Sequence, residues 1–82
     1  MAQRIALYTT RHCSHCRQAK AFLRQHEIPF REFDVEGSQR AFKAFKQAGG
    51  QGVPFILIGR MTLNGFDPKK LRKTLQQCGF EI

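Results

Sequence analysis

Cys13-Ser14-His15-Cys16 is the stretch whose reading decides the fold. Two thiols with two residues between them can close a small disulfide without unfolding anything around them, so the pair is a redox pair by default. A short apolar run, Gln3-Arg4-Ile5-Ala6-Leu7-Tyr8, precedes it and a helical pattern follows, which places the pair where a strand hands over to a helix. A Cys-x-x-Cys beside a β-α-β pattern reads as a dithiol active site. The open N–H groups and the positive dipole end at such a helix start favour an anion, here the thiolate of Cys13.

Working outward, Cys16, Ala19, Phe22 and Leu23 recur as one stripe of an amphipathic helix, which turns Cys16 inward and leaves Cys13 the exposed thiol. The helix ends near His26, ahead of Pro29. Residues 30–35 form a second strand. Ser38 is positioned to cap a second helix with the apolar stripe Ala41, Phe42, Phe45 and Ala48, a core stripe that Gly49-Gly50 stops. Residues 53–58 are β-branched, apolar and unbroken, as expected of an interior strand covered on both faces, with Pro54 at its start. Gly59-Arg60 turns the chain into a short return strand at 61–63. Asp67 caps and Pro68 begins a third helix carrying Leu71, Leu75 and Cys78 on one face, where Cys78 reads as a buried, inert thiol.

The chain of 82 residues is read as a single domain over 1–82, and 41% hydrophobic content with eight Phe supplies its core. An odd count of three cysteines does not fit a secreted disulfide framework, and with no signal-peptide pattern or membrane-length apolar run the expected location is cytoplasmic. Fourteen Lys and Arg against six Asp and Glu give a net charge of +8. The positive charges are spread along three helix faces without interleaved aromatics, which argues against nucleic acid. They suit acidic protein partners whose association slows with salt.

The order strand, helix, strand, helix, strand, strand, helix resembles the glutaredoxins. The residues that carry it are Tyr8-Thr9 leading to Cys13-Ser14-His15-Cys16, then Gly52-Val53-Pro54-Phe55, then Leu63-Asn64-Gly65-Phe66-Asp67. The resemblance implies an α/β, thioredoxin-like fold with a four-stranded mixed sheet flanked by three helices. It implies a thiol–disulfide oxidoreductase with Cys13 attacking and Cys16 resolving, a cis Pro54, and Val53 offering its backbone to glutathione or a substrate disulfide. By the same resemblance Gly65, Phe66 and Asp67 hold a γ-glutamyl carboxylate, glutathione is the reducing co-substrate, no cofactor is bound, and the protein is a monomer.

Four positions depart from the common family pattern: Ser14-His15 replaces Pro-Tyr, Thr10 replaces a basic residue for which Arg11 can substitute, and Gly52 replaces Thr. The turn Asn64-Gly65-Phe66-Asp67-Pro68 also resembles that of redoxins that serve ribonucleotide reductase and draw on thioredoxin reductase, so the electron donor stays open. His15 before the second cysteine is similar to the arrangement in disulfide isomerases. It predicts a potential less reducing than the roughly −270 mV of thioredoxin. A different class of function is metal or iron-sulfur binding, since His12, Cys13, His15 and Cys16 crowd four potential ligands into one short segment. One helix start places them poorly for a tetrahedron, and no second pair exists elsewhere. A basic adaptor with an incidental cysteine pair is the third class.

Overall fold

A computed structural model describes residues 4–82. Its elements are β1 (Ile5–Thr9), α1 (Ser14–Gln25), β2 (Arg31–Asp34), α2 (Gln39–Gln47), β3 (Phe55–Ile58), β4 (Met61–Asn64) and α3 (Pro68–Gln77). The strands form one mixed sheet in the order β2-β1-β3-β4, with β1 parallel to β2 and antiparallel to β3, which is antiparallel to β4. This is the expected thioredoxin-like architecture of four strands and three helices.

Each helix starts where a side chain can satisfy its open N–H groups. Ser38 Oγ accepts from Ala41 N at 3.1 Å, and Asp67 Oδ1 accepts from Lys69 N at 3.1 Å and Lys70 N at 3.2 Å. Pro68, which has no N–H to lose, then opens α3. Strand β3 begins one residue after the cis Val53–Pro54 bond. The Gly59-Arg60 turn is held by Gly59 N donating to Arg4 O at 3.1 Å.

The two faces of the sheet are built differently. On one, Ile5, Leu7, Ile56 and Ile58 meet Ala19 and Leu23 of α1 and Leu71 and Leu75 of α3, every one at most 5% exposed. Each Leu or Ile side chain so buried contributes about 1.5–3 kcal/mol of transfer free energy. On the other, Tyr8, Phe45 and Phe55 make an aromatic cluster with centroids 5.5 to 5.9 Å apart, and Phe33 stacks on Tyr8 at 5.3 Å.

Four expectations need correction. Strand β3 is not sealed on both faces: Leu57 is half-buried, because α2 covers only part of its side. Phe42 is not core. It is 46% exposed, since α2 presents only the narrow edge of Ala41 and Phe45 to the sheet, and its ring carries the Lys46 ammonium at 5.8 Å instead. Cys78 is half-buried rather than enclosed, because it is the C-cap of α3 at the rim of the core, with Sγ 3.7 Å from Met61 Sδ. Phe30 and Val35 flank β2 rather than belong to it.

Candidate active site

Strand β1 delivers the chain at Thr9, a short turn follows, and Cys13 becomes the N-cap of α1 with extended backbone angles (φ −112°, ψ 107°). Its Sγ takes the place a Ser or Asp oxygen usually fills, accepting from Cys16 N at 3.1 Å. Sulfur at this position faces open N–H groups and the positive end of the helix dipole, an environment suited to a thiolate.

One helical turn on, Cys16 is 1% exposed. Burial pushes its thiol up to about 12, and its hydrogen bond to Cys13 and the charge there push the same way. A backbone hydrogen bond at Thr10 and the Lys20 ammonium pull against the rise. The two sulfurs therefore differ in access although both belong to one turn of chain. All three cysteines are free thiols.

Beside the pair is a cleft of about 240 Å³, lined by both cysteines, Thr9, Thr10, Arg11, Arg17, Lys20, Glu32 and Asp34. Within it Glu32 Oε2 accepts from Thr9 Oγ1 at 2.9 Å and from Lys20 Nζ at 3.0 Å. Burial pushes the Glu32 carboxyl up, but the hydrogen bonds from Lys20 and Thr9 and the charges of Lys20 and Arg24 outweigh it and hold the group below the ordinary carboxylate value. Arg11 reaches Asp34 Oδ2 across 3.9 Å as a loose, exposed pair.

Among the anticipated residues, the cleft gathers Cys13, Cys16 and Arg11, whereas His15 is exposed on α1 outside it. Val53-Pro54 and Gly65 do come together, through Gly65 N donating to Pro54 O at 2.8 Å with Gly65 at φ +87°. Phe66 packs against the core, its ring 6.1 Å from Phe22. The Asp67 carboxylate is engaged by Lys69 and Lys70 N–H, so two donors of the α3 start are already satisfied from within the chain.

Sequence reasoning missed Lys20, Glu32 and Asp34. Lys20 had a signal, since it stands four positions after Cys16 on the same helix face. Glu32 and Asp34 had none, because only the parallel pairing of Leu7 with Glu32 and Thr9 with Asp34 brings them to this end of β1. Among the described residues, no three His, Cys, Asp or Glu side chains converge as a metal-binding group.

The glutaredoxin family model matches residues 5–61. The chain is 26% identical over 69 residues to the glutaredoxin-like protein NrdH of Lactococcus lactis subsp. cremoris, covering 84% of this chain and 96% of that one. Among solved structures, the thioredoxin-like protein BC3987 superposes with a TM-score of 0.82 at 27% identity, over 88% of this chain and 100% of its own. The glutaredoxin-like NrdH-redoxin from Escherichia coli, described for its thioredoxin-like activity profile, superposes with a TM-score of 0.76 at 24% identity, over 85% of this chain and 92% of its own.

Proposed function

The chain belongs to the glutaredoxin family of thiol–disulfide oxidoreductases, and from that premise we propose that Cys13 and Cys16 reduce protein disulfides with electrons from a thioredoxin-reductase-type flavoenzyme rather than from glutathione. The observation that carries the dithiol reading is the asymmetry of the pair: an accessible sulfur at a helix N-cap, and a buried thiol one turn behind it.

In the first step the Cys13 thiolate attacks one sulfur of a substrate disulfide, forming a Cys13–substrate disulfide and releasing the other sulfur as thiolate. In the second, Cys16 gives up its proton and attacks Cys13 Sγ. A Cys13–Cys16 disulfide forms, and the remaining substrate thiolate leaves. Two electrons have passed to the substrate and must be restored by the reductant.

The environment of Cys16 times the second step. While Cys13 is a free thiolate, its negative charge and hydrogen bond help hold the proton on Cys16. Once Cys13 is bound in a mixed disulfide, both influences end and Lys20 and the Thr10 backbone are opposed by burial alone. Resolution is thereby favoured after capture and not before. The Val53 backbone, preceding Pro54, offers an extended substrate an antiparallel pairing edge. Arg11 adds positive charge at the cleft mouth.

The choice of donor rests on three features. Gly65 N–H, in the turn expected to meet a γ-glutamyl carboxylate, is already donated to Pro54 O at 2.8 Å. Thr10, Gly52 and Ser14-His15 stand where glutathione-using members commonly have other residues. NrdH-redoxin from Escherichia coli has a thioredoxin-like activity profile. With this reading go a reducing, cytoplasmic setting and acidic protein substrates met by a monomer acting as one domain.

NADPH oxidation coupled to an insulin-type disulfide is measured with thioredoxin reductase, and in parallel with glutathione plus glutathione reductase. Turnover with the flavoenzyme alone, at least about tenfold faster than with glutathione, is the expected result. Faster turnover with glutathione would overturn the donor assignment.

A further inference from the structure

Across the middle of the sheet, Arg31, Ala6, Leu57 and Thr62 stand side by side in register on four successive strands. In-register neighbours point to the same face, and this face is the one α2 packs on. The adjacent row, Phe33, Tyr8 and Phe55, is covered by Phe45 of α2. A helix of nine residues reaches only about 13.5 Å, so it shields that row and stops short of the next. Ala6 and Leu57 are consequently half-exposed although they belong to the two central strands, whereas their neighbours Ile5, Leu7, Ile56 and Ile58 on the opposite face are at most 4% exposed.

A cleft of about 830 Å³ lies over this uncovered half, with Ala6, Phe33 and Leu57 in its floor. Arg4, Arg31 and Arg60 line it, each exposed, and no Asp or Glu is among its lining residues. Arg4 is fixed there by its carbonyl accepting from Gly59 N, and Arg60 by the β3–β4 turn. Elsewhere the cations are compensated or dispersed: Lys20 is paired with Glu32, Arg11 faces Asp34, and Lys46 lies over Phe42.

We infer that this cleft is a docking surface for an acidic protein segment bearing aliphatic side chains. Three guanidinium groups around an apolar floor complement carboxylates alternating with apolar residues, and guanidinium forks pair with carboxylates two bonds at a time. A protein segment fits better than nucleic acid, because the rings of Phe33 and Phe30 each already have one face occupied, by Tyr8 and by the Arg24 guanidinium. The cleft adjoins the start of β1 and Cys13 follows its end, about 17 Å away along five residues of strand. A partner can therefore hold the protein here while presenting a disulfide to Cys13.

The test is a titration of ¹⁵N-labelled protein with an acidic dodecapeptide carrying Leu at every third position, and separately with the same peptide having Gln for Glu and with a single-stranded dodecanucleotide. The largest amide shifts are expected at Ala6, Arg31, Leu57 and Arg60 with the acidic peptide, weakened by salt and absent with the Gln peptide. Arg31→Glu combined with Arg60→Glu should lower affinity about tenfold or more, while reduction of a small disulfide by Cys13 stays unchanged. Shifts spread over the helix lysines, tighter binding of the oligonucleotide, or affinity unaffected by the double substitution would each overturn the proposal. If the double variant does not fold, the shift map of the unaltered protein decides alone. Loss of docking with intact Cys13 chemistry, or the reverse, keeps this surface distinguishable from the proposed electron donor.

Discussion

Cys13 and Cys16 are the same side chain one helical turn apart, and nearly everything that separates them is supplied by what surrounds them. Cys13 sits at the boundary of the first helix, where its sulfur accepts the Cys16 N–H and meets solvent. Cys16 lies inside, at 1% exposure, its thiol raised to about 12 by burial first and by Cys13 second. The proposed division into an attacking and a resolving sulfur thus rests on position along one helix rather than on residue type.

The sharpest way to break this comparison is to remove each sulfur in turn. Cys13→Ser is expected to lower disulfide reduction by at least about a thousandfold. Cys16→Ser should leave the first attack intact and accumulate a Cys13–substrate mixed disulfide, visible as an added mass on the intact protein. Equal losses with no trapped adduct would remove the distinction between the two roles.

Acidity offers a second probe. At neutral pH iodoacetamide should modify Cys13 well before Cys16. A thiol whose folded value is raised from 9.0 to about 12 stabilises the fold while it keeps its proton, a contribution present below 9 and withdrawn as pH climbs through about 12. Denaturant midpoints measured from pH 8 upward should accordingly fall more steeply in the unaltered protein than in Cys16→Ala. Parallel curves would mean that folding does not raise the Cys16 thiol.

The smallest expected effects concern the charges beneath the pair. Lys20 lowers the Cys16 thiol and is itself neutralised by Glu32 at 3.0 Å. Lys20→Met should slow decay of the mixed disulfide a few-fold, and Glu32→Gln should speed it by a similar or smaller factor, as expected of partly solvated charges. Stopped-flow measurement of that decay distinguishes them, and changes of the same sign in both variants would show that the pair acts by packing rather than by charge.

Much of the molecule was legible in the chain because its signals are local. The Cys-x-x-Cys at a strand–helix junction, the caps Ser38 and Asp67, Pro68 after its cap, and the Gly59-Arg60 turn all depend on atoms a few residues apart. The inward orientation of Cys16 followed from helical spacing alone, and the stretches named by the family resemblance, Val53-Pro54 and Gly65, lie together through the bond from Gly65 N to Pro54 O. The same local logic misplaced Phe42 and Cys78, since periodicity says which residues share a face but not how wide a strip of that face a neighbour covers. For α2 that strip is Ala41 and Phe45 only.

Sequence by itself determined the order of elements, the dithiol and which of its sulfurs is buried, and an excess of positive charge. Tertiary structure decided which charges meet. Glu32 reaches Lys20 because β1 and β2 pair in one parallel register, and Arg4, Arg31 and Arg60 share a cleft because three chain segments end at the same side of the sheet. It also decided that one sheet face is closed and the other open, because two helices span the first and a single nine-residue helix part of the second. Coverage and convergence of this kind are set by the lengths and register of elements distant in the chain, and no window of neighbouring residues contains them.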